Sequence, residues 1–108
     1  MNEQFKDKVI IVTGSTQGSG AETARLLASR GAKAITICGR QENKGLEVKN
    51  QIEKLGTECL YIKADLKNVD DCKKIVLETD KKFGTINSLI NVAGYTESCL
   101  LYTSPSPR

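Results

Sequence analysis

Hydrophobic positions in this chain form two kinds of pattern that alternate along its length. Short apolar runs rich in β-branched residues predict strands buried in a parallel sheet. Between them, apolar side chains recur every three or four positions, which is typical of helices packed on a sheet. The strands are predicted at residues 8–12, 34–38, 58–64 and 86–94, and the helices at residues 21–30, 42–55 and 68–83. This alternation predicts an α/β fold.

Glycine and asparagine mark the ends of the predicted helices. Gly31, Gly56 and Gly84 each follow a helical stretch, where a residue that tolerates left-handed backbone ends a helix. Asn68 is the predicted N-cap of the third helix. The side chains predicted to face the sheet are Val48, Ile52 and Leu55 in the second helix, and Cys72, Ile75, Val76 and Thr79 in the third.

A glycine-rich turn, Thr13-Gly14-Ser15-Thr16-Gln17-Gly18-Ser19-Gly20, separates the first strand from the first helix. Its glycines widen the allowed backbone conformations, let a ligand approach the backbone, and leave N–H groups at the helix N-terminus available to a phosphate. The turn lacks the Gly-Lys-Ser/Thr ending of a P-loop, which argues against ATP chemistry of that type. We expect a pyrophosphate site here; a glycine-rich helix start without a ligand is the alternative.

The end of the second strand carries Gly39-Arg40. Dinucleotide-binding units that select NAD place an acidic residue about 20 positions beyond the glycines, where it holds the ribose hydroxyls. An arginine at that point would instead pair with the 2′-phosphate of NADP, which a carboxylate would repel. The sequence therefore favours NADP over NAD, and a solvent-exposed loop arginine is the alternative.

The glycine spacing Thr-Gly-x-x-x-Gly-x-Gly resembles the fingerprint of the short-chain dehydrogenase/reductase family. Two later segments add to the resemblance. Asp65-Leu66 resembles the family's adenine-contacting pair, and Asn91-Val92-Ala93-Gly94 resembles its Asn-Asn-Ala-Gly segment. The resemblance extends from Phe5 to about Gly94 and implies the N-terminal half of a Rossmann-type doubly wound sheet, with strand order 3-2-1-4.

The resemblance also implies which residues contact the cofactor. They are Gly14, Ser15, Gln17, Gly18, Ser19, Gly20, Arg40, Asp65, Leu66, Asn91, Ala93 and Gly94. Two positions depart from the family pattern, because Ser19 replaces a branched apolar residue and Val92 replaces an asparagine. For Asp65, an aspartate that merely starts a helix is the alternative interpretation.

Composition excludes several other classes of function. The net charge of +3 is small and the lysines are interspersed with acids, which gives no support to nucleic-acid binding. The chain has no histidine and its four cysteines form no C-x-x-C pair, which argues against a metal site and against Ser-His-Asp or Cys-His catalysis. No apolar run is long enough to span a bilayer and no signal peptide is evident, so a cytoplasmic location is expected, with no membrane partner.

The resemblance implies hydride transfer between NADP(H) and a small-molecule carbonyl or alcohol, in a homo-oligomeric full-length form. The family's catalytic tyrosine has a lysine four residues later, whereas Tyr61, Tyr95 and Tyr102 have none. We therefore expect no catalytic residues in this chain and no activity from it alone. A non-catalytic nucleotide-binding or sensor module is the alternative.

The last ten residues break the α/β pattern and hold both prolines of the chain. Translated back, residues 99–108 resemble a transposase adaptor from sequencing libraries. We expect residues 1–98 to form a truncated NAD(P)-binding domain and residues 99–108 to be non-native.

Overall fold

The structure, a computed structural model, describes residues 6–13, 18–65 and 68–91; of Gly18, Ser19 and Asn91 it describes only the backbone. Strands and helices alternate through these residues. In chain order they are β1 (Val9–Thr13), α1 (Gly18–Ser29), β2 (Ala34–Gly39), α2 (Glu42–Lys54), β3 (Glu58–Lys63), α3 (Val69–Phe83) and β4 (Ser88–Asn91).

The four strands form one parallel sheet in the order β3-β2-β1-β4. This confirms the predicted α/β class and the strand order of the N-terminal half of a doubly wound sheet. The register pairs Thr13 with Asn91 across β1 and β4, and Gly39 with Lys63 across β2 and β3. The carboxyl ends of all four strands therefore lie along one edge of the sheet.

The central strand β1 is buried along its whole length, as its continuous apolar run predicts. Ile10 and Val12 pack on one face of the sheet in the apolar cluster that includes residues of α1 and α2. Ile11 packs on the other face, where Ile75 of α3 belongs to the same cluster. Burying an isoleucine side chain contributes about 1.5–3 kcal/mol, so both layers depend on this strand.

The helix ends follow the local signals in the sequence. Gly31, Gly56 and Gly84 have positive φ angles of 92°, 94° and 80°. The Asn68 side chain accepts hydrogen bonds from two amides in the first turn of α3, at 2.8 and 3.2 Å, which confirms it as the N-cap.

Three details differ from the prediction. Leu55 is 50% exposed and is the C-cap of α2, which ends at Lys54. The strand β4 begins at Ser88, two residues later than expected, and Leu89 and Ile90 are only half-buried because β4 lies at an edge of the described sheet. Helix α1 begins at Gly18, which brings the last two glycines of the turn into its first turn.

None of the helices in the described residues has the length and apolar character that a membrane span requires. Across residues 6–13, 18–65 and 68–91 there is also no cluster of three or more histidine, cysteine or acidic side chains that could hold a metal ion.

Candidate functional site

The candidate site lies at the sheet edge formed by the carboxyl ends of the strands. Chain connections leave β1 for α1, β2 for α2 and β3 for α3 at this edge. The direction of chain progression reverses between β1 and β4, because β2 and β3 lie on one side of β1 and β4 on the other. In open α/β sheets, ligands bind in the crevice outside the carboxyl ends at such a switch point.

Helix α1 begins next to that switch point and differs electrostatically from the other two helices. Its first turn contains no acidic residue. By contrast, α2 has Glu42 in its first turn, and α3 has Asp70 and Asp71. The positive end of a helix dipole stabilises a nearby anion. Carboxylates in the first turn of a helix already neutralise part of that positive potential. Of the three described helices, α1 therefore offers the N-terminus best suited to a phosphate group.

The end of β2 is held by two hydrogen bonds to one carbonyl group. The oxygen of Gly39 accepts one from the Ala64 amide at 3.0 Å and one from the Tyr61 hydroxyl at 2.7 Å. Arg40 follows directly and is exposed, and within the described part of the chain its side chain has no hydrogen-bond or ion-pair partner. Lys63 is exposed and pairs in register with Gly39, which places a second cationic residue at this corner.

The phenol of Tyr61 is a dependable hydrogen-bond donor. Burial, followed by the nearby Glu42 carboxylate and Cys38, raises the pKa of Tyr61, so the phenol keeps its proton at neutral pH. The ring lies against Gly45 of α2, where an added Cβ would overlap three ring atoms. Gly45 is therefore required for this packing.

Two hydrogen bonds of the Asp65 backbone fix the segment after β3. The Asp65 amide donates to Oδ2 of Asp71 at 2.8 Å, and the Asp65 carbonyl accepts from the Asn68 amide at 2.9 Å. Asn68, not Asp65, caps α3. Asp65 thus lies half-buried at the site edge, with its backbone held on both sides.

The junction of β1 and β4 is fixed at both ends. Near the site, the Thr13 hydroxyl donates to the Ile90 carbonyl at 3.4 Å. At the opposite end, Asn87 accepts from the Val9 amide through its side chain and donates to the Val9 carbonyl through its backbone, both at 2.8 Å. Asn91 is thereby held beside Thr13, next to the start of α1.

The predicted site residues that the structure describes all lie along this edge. They are Gly18, Ser19 and Gly20 at the start of α1, Arg40 after β2, Asp65 after β3, and Asn91 at the end of β4. The predicted residues Gly14, Ser15, Gln17, Leu66, Ala93 and Gly94 lie outside the described residues.

Three residues that shape the site were not predicted to belong to it: Tyr61, Gly45 and Asp71. A glycine inside the otherwise regular helix α2 was the one available signal, because such a glycine indicates a close approach by another group.

Comparison with known proteins then identifies the family. The family model for short chain dehydrogenases matches residues 8–104. The chain belongs to the short-chain dehydrogenase family. It is 36% identical over 98 residues to 11-beta-hydroxysteroid dehydrogenase-like 4A of Arabidopsis thaliana, covering 90% of this chain and 32% of that protein. It is 33% identical over 91 residues to the 3beta-hydroxysteroid dehydrogenase of Mediterraneibacter gnavus, covering 84% and 33%.

Solved structures of dehydrogenases have the same fold over the part that matches this chain. A xylitol dehydrogenase bound to NAD⁺ matches with a TM-score of 0.80 and 28% identity, over 85% of this chain and 35% of that one. A Burkholderia cenocepacia dehydrogenase with bound NADP matches with a TM-score of 0.77 and 28% identity, over 84% and 36%. This short-chain dehydrogenase chain thus spans about a third of the length of these relatives.

Proposed function

We propose that this chain forms the adenosine-side cofactor site of an oxidoreductase that transfers hydride between NADP(H) and a carbonyl or alcohol substrate. The observation that carries the proposal is the start of α1, which combines glycines, the absence of first-turn carboxylates and a position at the switch point of the sheet. Membership of the short-chain dehydrogenase family supports it.

The described residues fit a nicotinamide dinucleotide. Backbone amides at Gly18–Gly20 suit the pyrophosphate, and Asp65 suits the adenosine end. Asn91 suits a ribose of the cofactor, as the family resemblance implies. Ala93 and Gly94, which lie outside the described residues, are expected from the same resemblance to contact the cofactor. When bound, the dinucleotide supplies or accepts the hydride. The residues named above bind and orient the dinucleotide.

We propose that NADP is preferred over NAD because of Arg40. Its guanidinium lies at the end of β2 with no partner in the described part of the chain, and Lys63 adds positive charge at the same corner. Charge-assisted pairing of arginine with phosphate is worth about 1.5–3 kcal/mol. One solved relative binds NAD and another binds NADP, so these structures do not decide between the two cofactors. The proposed preference for NADP is therefore argued from Arg40 and Lys63.

We propose that the chain by itself transfers no hydride. Reduction of a carbonyl develops alkoxide charge that a positioned acid must protonate. The three tyrosines of the chain are followed four residues later by Asp65, Cys99 and Ser106, so none has the neighbouring lysine that would lower its pKa. The acid and the substrate contacts would belong to residues outside this sequence.

The test compares two proteins: the 108-residue chain, and an extended protein encoded by a reading frame that continues past Ser98. NADPH absorbance is followed with a panel of ketones. Turnover by the extended protein and none by the chain would support the proposal. Steady turnover by the chain would contradict it, and cofactor binding without turnover in both proteins would favour the non-catalytic module.

Three further expectations stay predictions of the sequence: the cytoplasmic location, the homo-oligomeric full-length form, and the division of the chain after Ser98. The family match runs to residue 104, into the segment that resembles an adaptor. Re-sequencing the source gene across this boundary tests the division.

A further inference from the structure

The peptide group that joins Gly39 to Arg40 is fixed more firmly than strand pairing alone requires. In a parallel ladder, the Gly39 carbonyl needs only its bond from the Ala64 amide, at 3.0 Å. The Tyr61 hydroxyl occupies the second lone pair of the same oxygen at 2.7 Å. Because the peptide is planar, fixing this carbonyl also fixes the direction in which the chain leaves toward Arg40.

The phenol that makes this bond is itself held in place. The Tyr61 ring packs against Gly45, where α2 has no side chain, and belongs to the edge of the apolar cluster between the sheet and α2. The residues that flank Tyr61 in β3 pair with β2 in an unbroken register from Ala34 to Gly39. A ring wedged between helix and sheet thus connects the core of the domain to the exposed corner that carries Arg40.

We propose that Tyr61 is a positioning residue for cofactor selection: it orients the Gly39–Arg40 peptide so that Arg40 meets the 2′-phosphate of NADP. This inference rests on the proposed function. Tyr61 acts through Arg40 and does not itself contact the cofactor. Gly45 contributes to the same positioning, since it leaves the space in which the Tyr61 ring reaches the Gly39 carbonyl.

The primary test replaces Tyr61 with phenylalanine in the extended protein. Tyr61→Phe keeps the ring against Gly45 and removes only the hydroxyl, and the Gly39 carbonyl keeps its bond from Ala64. We expect NADPH affinity to fall about fivefold, the equivalent of one net hydrogen bond. NADH affinity should change much less, because NADH has no 2′-phosphate for Arg40 to contact. The KM for NADPH should rise while kcat stays constant.

A double variant tests whether Tyr61 acts through Arg40. In an Arg40→Ala background, Tyr61→Phe should cause no further loss of NADPH affinity, because the residue being positioned is already absent. A merely structural role would lower affinity for both cofactors equally in both backgrounds.

Gly45→Ala supplies a second route to the same effect. The added methyl group displaces the Tyr61 ring while leaving its hydroxyl intact, so the preference for NADPH over NADH should fall as in Tyr61→Phe. Gly56→Ala is the matched control. It strains a glycine with φ of 94° at the opposite end of α2, with nothing within 4 Å of the new Cβ, and should leave the cofactor preference unchanged.

The outcomes separate the two proposals. Wild-type protein that binds neither NADPH nor NADH overturns both the proposed function and this inference. Wild-type protein whose NADPH preference depends on Arg40 but survives both Tyr61→Phe and Gly45→Ala overturns the positioning role alone. A selective loss of NADPH affinity in both variants, absent in Gly56→Ala, supports it.

Discussion

Replacing Gly45 with alanine should destabilise the protein, although alanine is the better helix former. In a helix interior, Gly→Ala contributes about 1 kcal/mol of stability through backbone propensity. Here the new Cβ would overlap three atoms of the Tyr61 ring, whose far end is held by the hydrogen bond to Gly39. Overpacking of this kind costs about 1–3 kcal/mol. If the ring swings away instead, the lost hydrogen bond costs about 1 kcal/mol in addition to lost packing.

The steric cost outweighs the propensity gain, and a double-mutant cycle separates the two. Gly45→Ala in the wild-type background should lower the free energy of unfolding by up to about 2 kcal/mol, the steric cost less the propensity gain. Tyr61→Val removes the ring and keeps a residue suited to a strand. In that background, Gly45→Ala should raise the free energy of unfolding by about 1 kcal/mol, because only the propensity gain is left. The sign of the effect therefore reverses.

Urea denaturation followed by circular dichroism measures the four proteins of the cycle. Asn50→Ala is the control, since Asn50 is an exposed residue in the same helix and its replacement improves propensity without approaching the ring. It should stabilise both backgrounds equally, by about 0.5 kcal/mol. An equal, stabilising effect of Gly45→Ala in both backgrounds would refute the packing of Tyr61 against α2.

Two further predictions concern stability. Burial raises the pKa of Cys59 from 9.0 to about 12, so the proton on this thiol contributes stability that is fully present below pH 9.0 and lost as pH rises toward about 12. The free energy of unfolding from urea denaturation should fall across this range, with a contribution from Cys59 of about 1.4 kcal/mol per pH unit that Cys59→Ala should remove; an unchanged slope in that variant would contradict the burial of the thiol. Asn68→Ala should cost about 1 kcal/mol through loss of the α3 cap, also measured by urea denaturation, and an unchanged midpoint would argue against the cap.

The positions of the strands and helices along the chain were predictable because their signals are local, whereas the order of the strands in the sheet was implied by the family resemblance. The apolar runs of β1 and β2 are short and β-branched, and glycines stand where the helices end. The location of Gly18–Gly20 and Arg40 at the carboxyl edge was also predictable, because each follows a strand of a parallel sheet. Their role in cofactor binding stays a prediction.

The errors arose at a helix end and where the environment depends on residues distant in sequence. Leu55 continues the apolar period of α2, but the helix ends one residue earlier and the side chain is exposed. The importance of Tyr61 depends on the pairing of β2 with β3 and on Gly45, sixteen positions away, and no local pattern contains either fact. Its hydrogen bond to Gly39 is visible only once the sheet is assembled.

The central claim is that this chain carries an adenosine-side site with a preference for the 2′-phosphate. Calorimetric titration of the 108-residue chain with 2′,5′-ADP and with 5′-AMP tests it most directly, because both nucleotides lack nicotinamide and differ at the 2′-phosphate. We expect 2′,5′-ADP to bind at least about tenfold more tightly than 5′-AMP, and Arg40→Asp to remove the difference. Equal affinity for the two nucleotides, or a difference that survives Arg40→Asp, would contradict it.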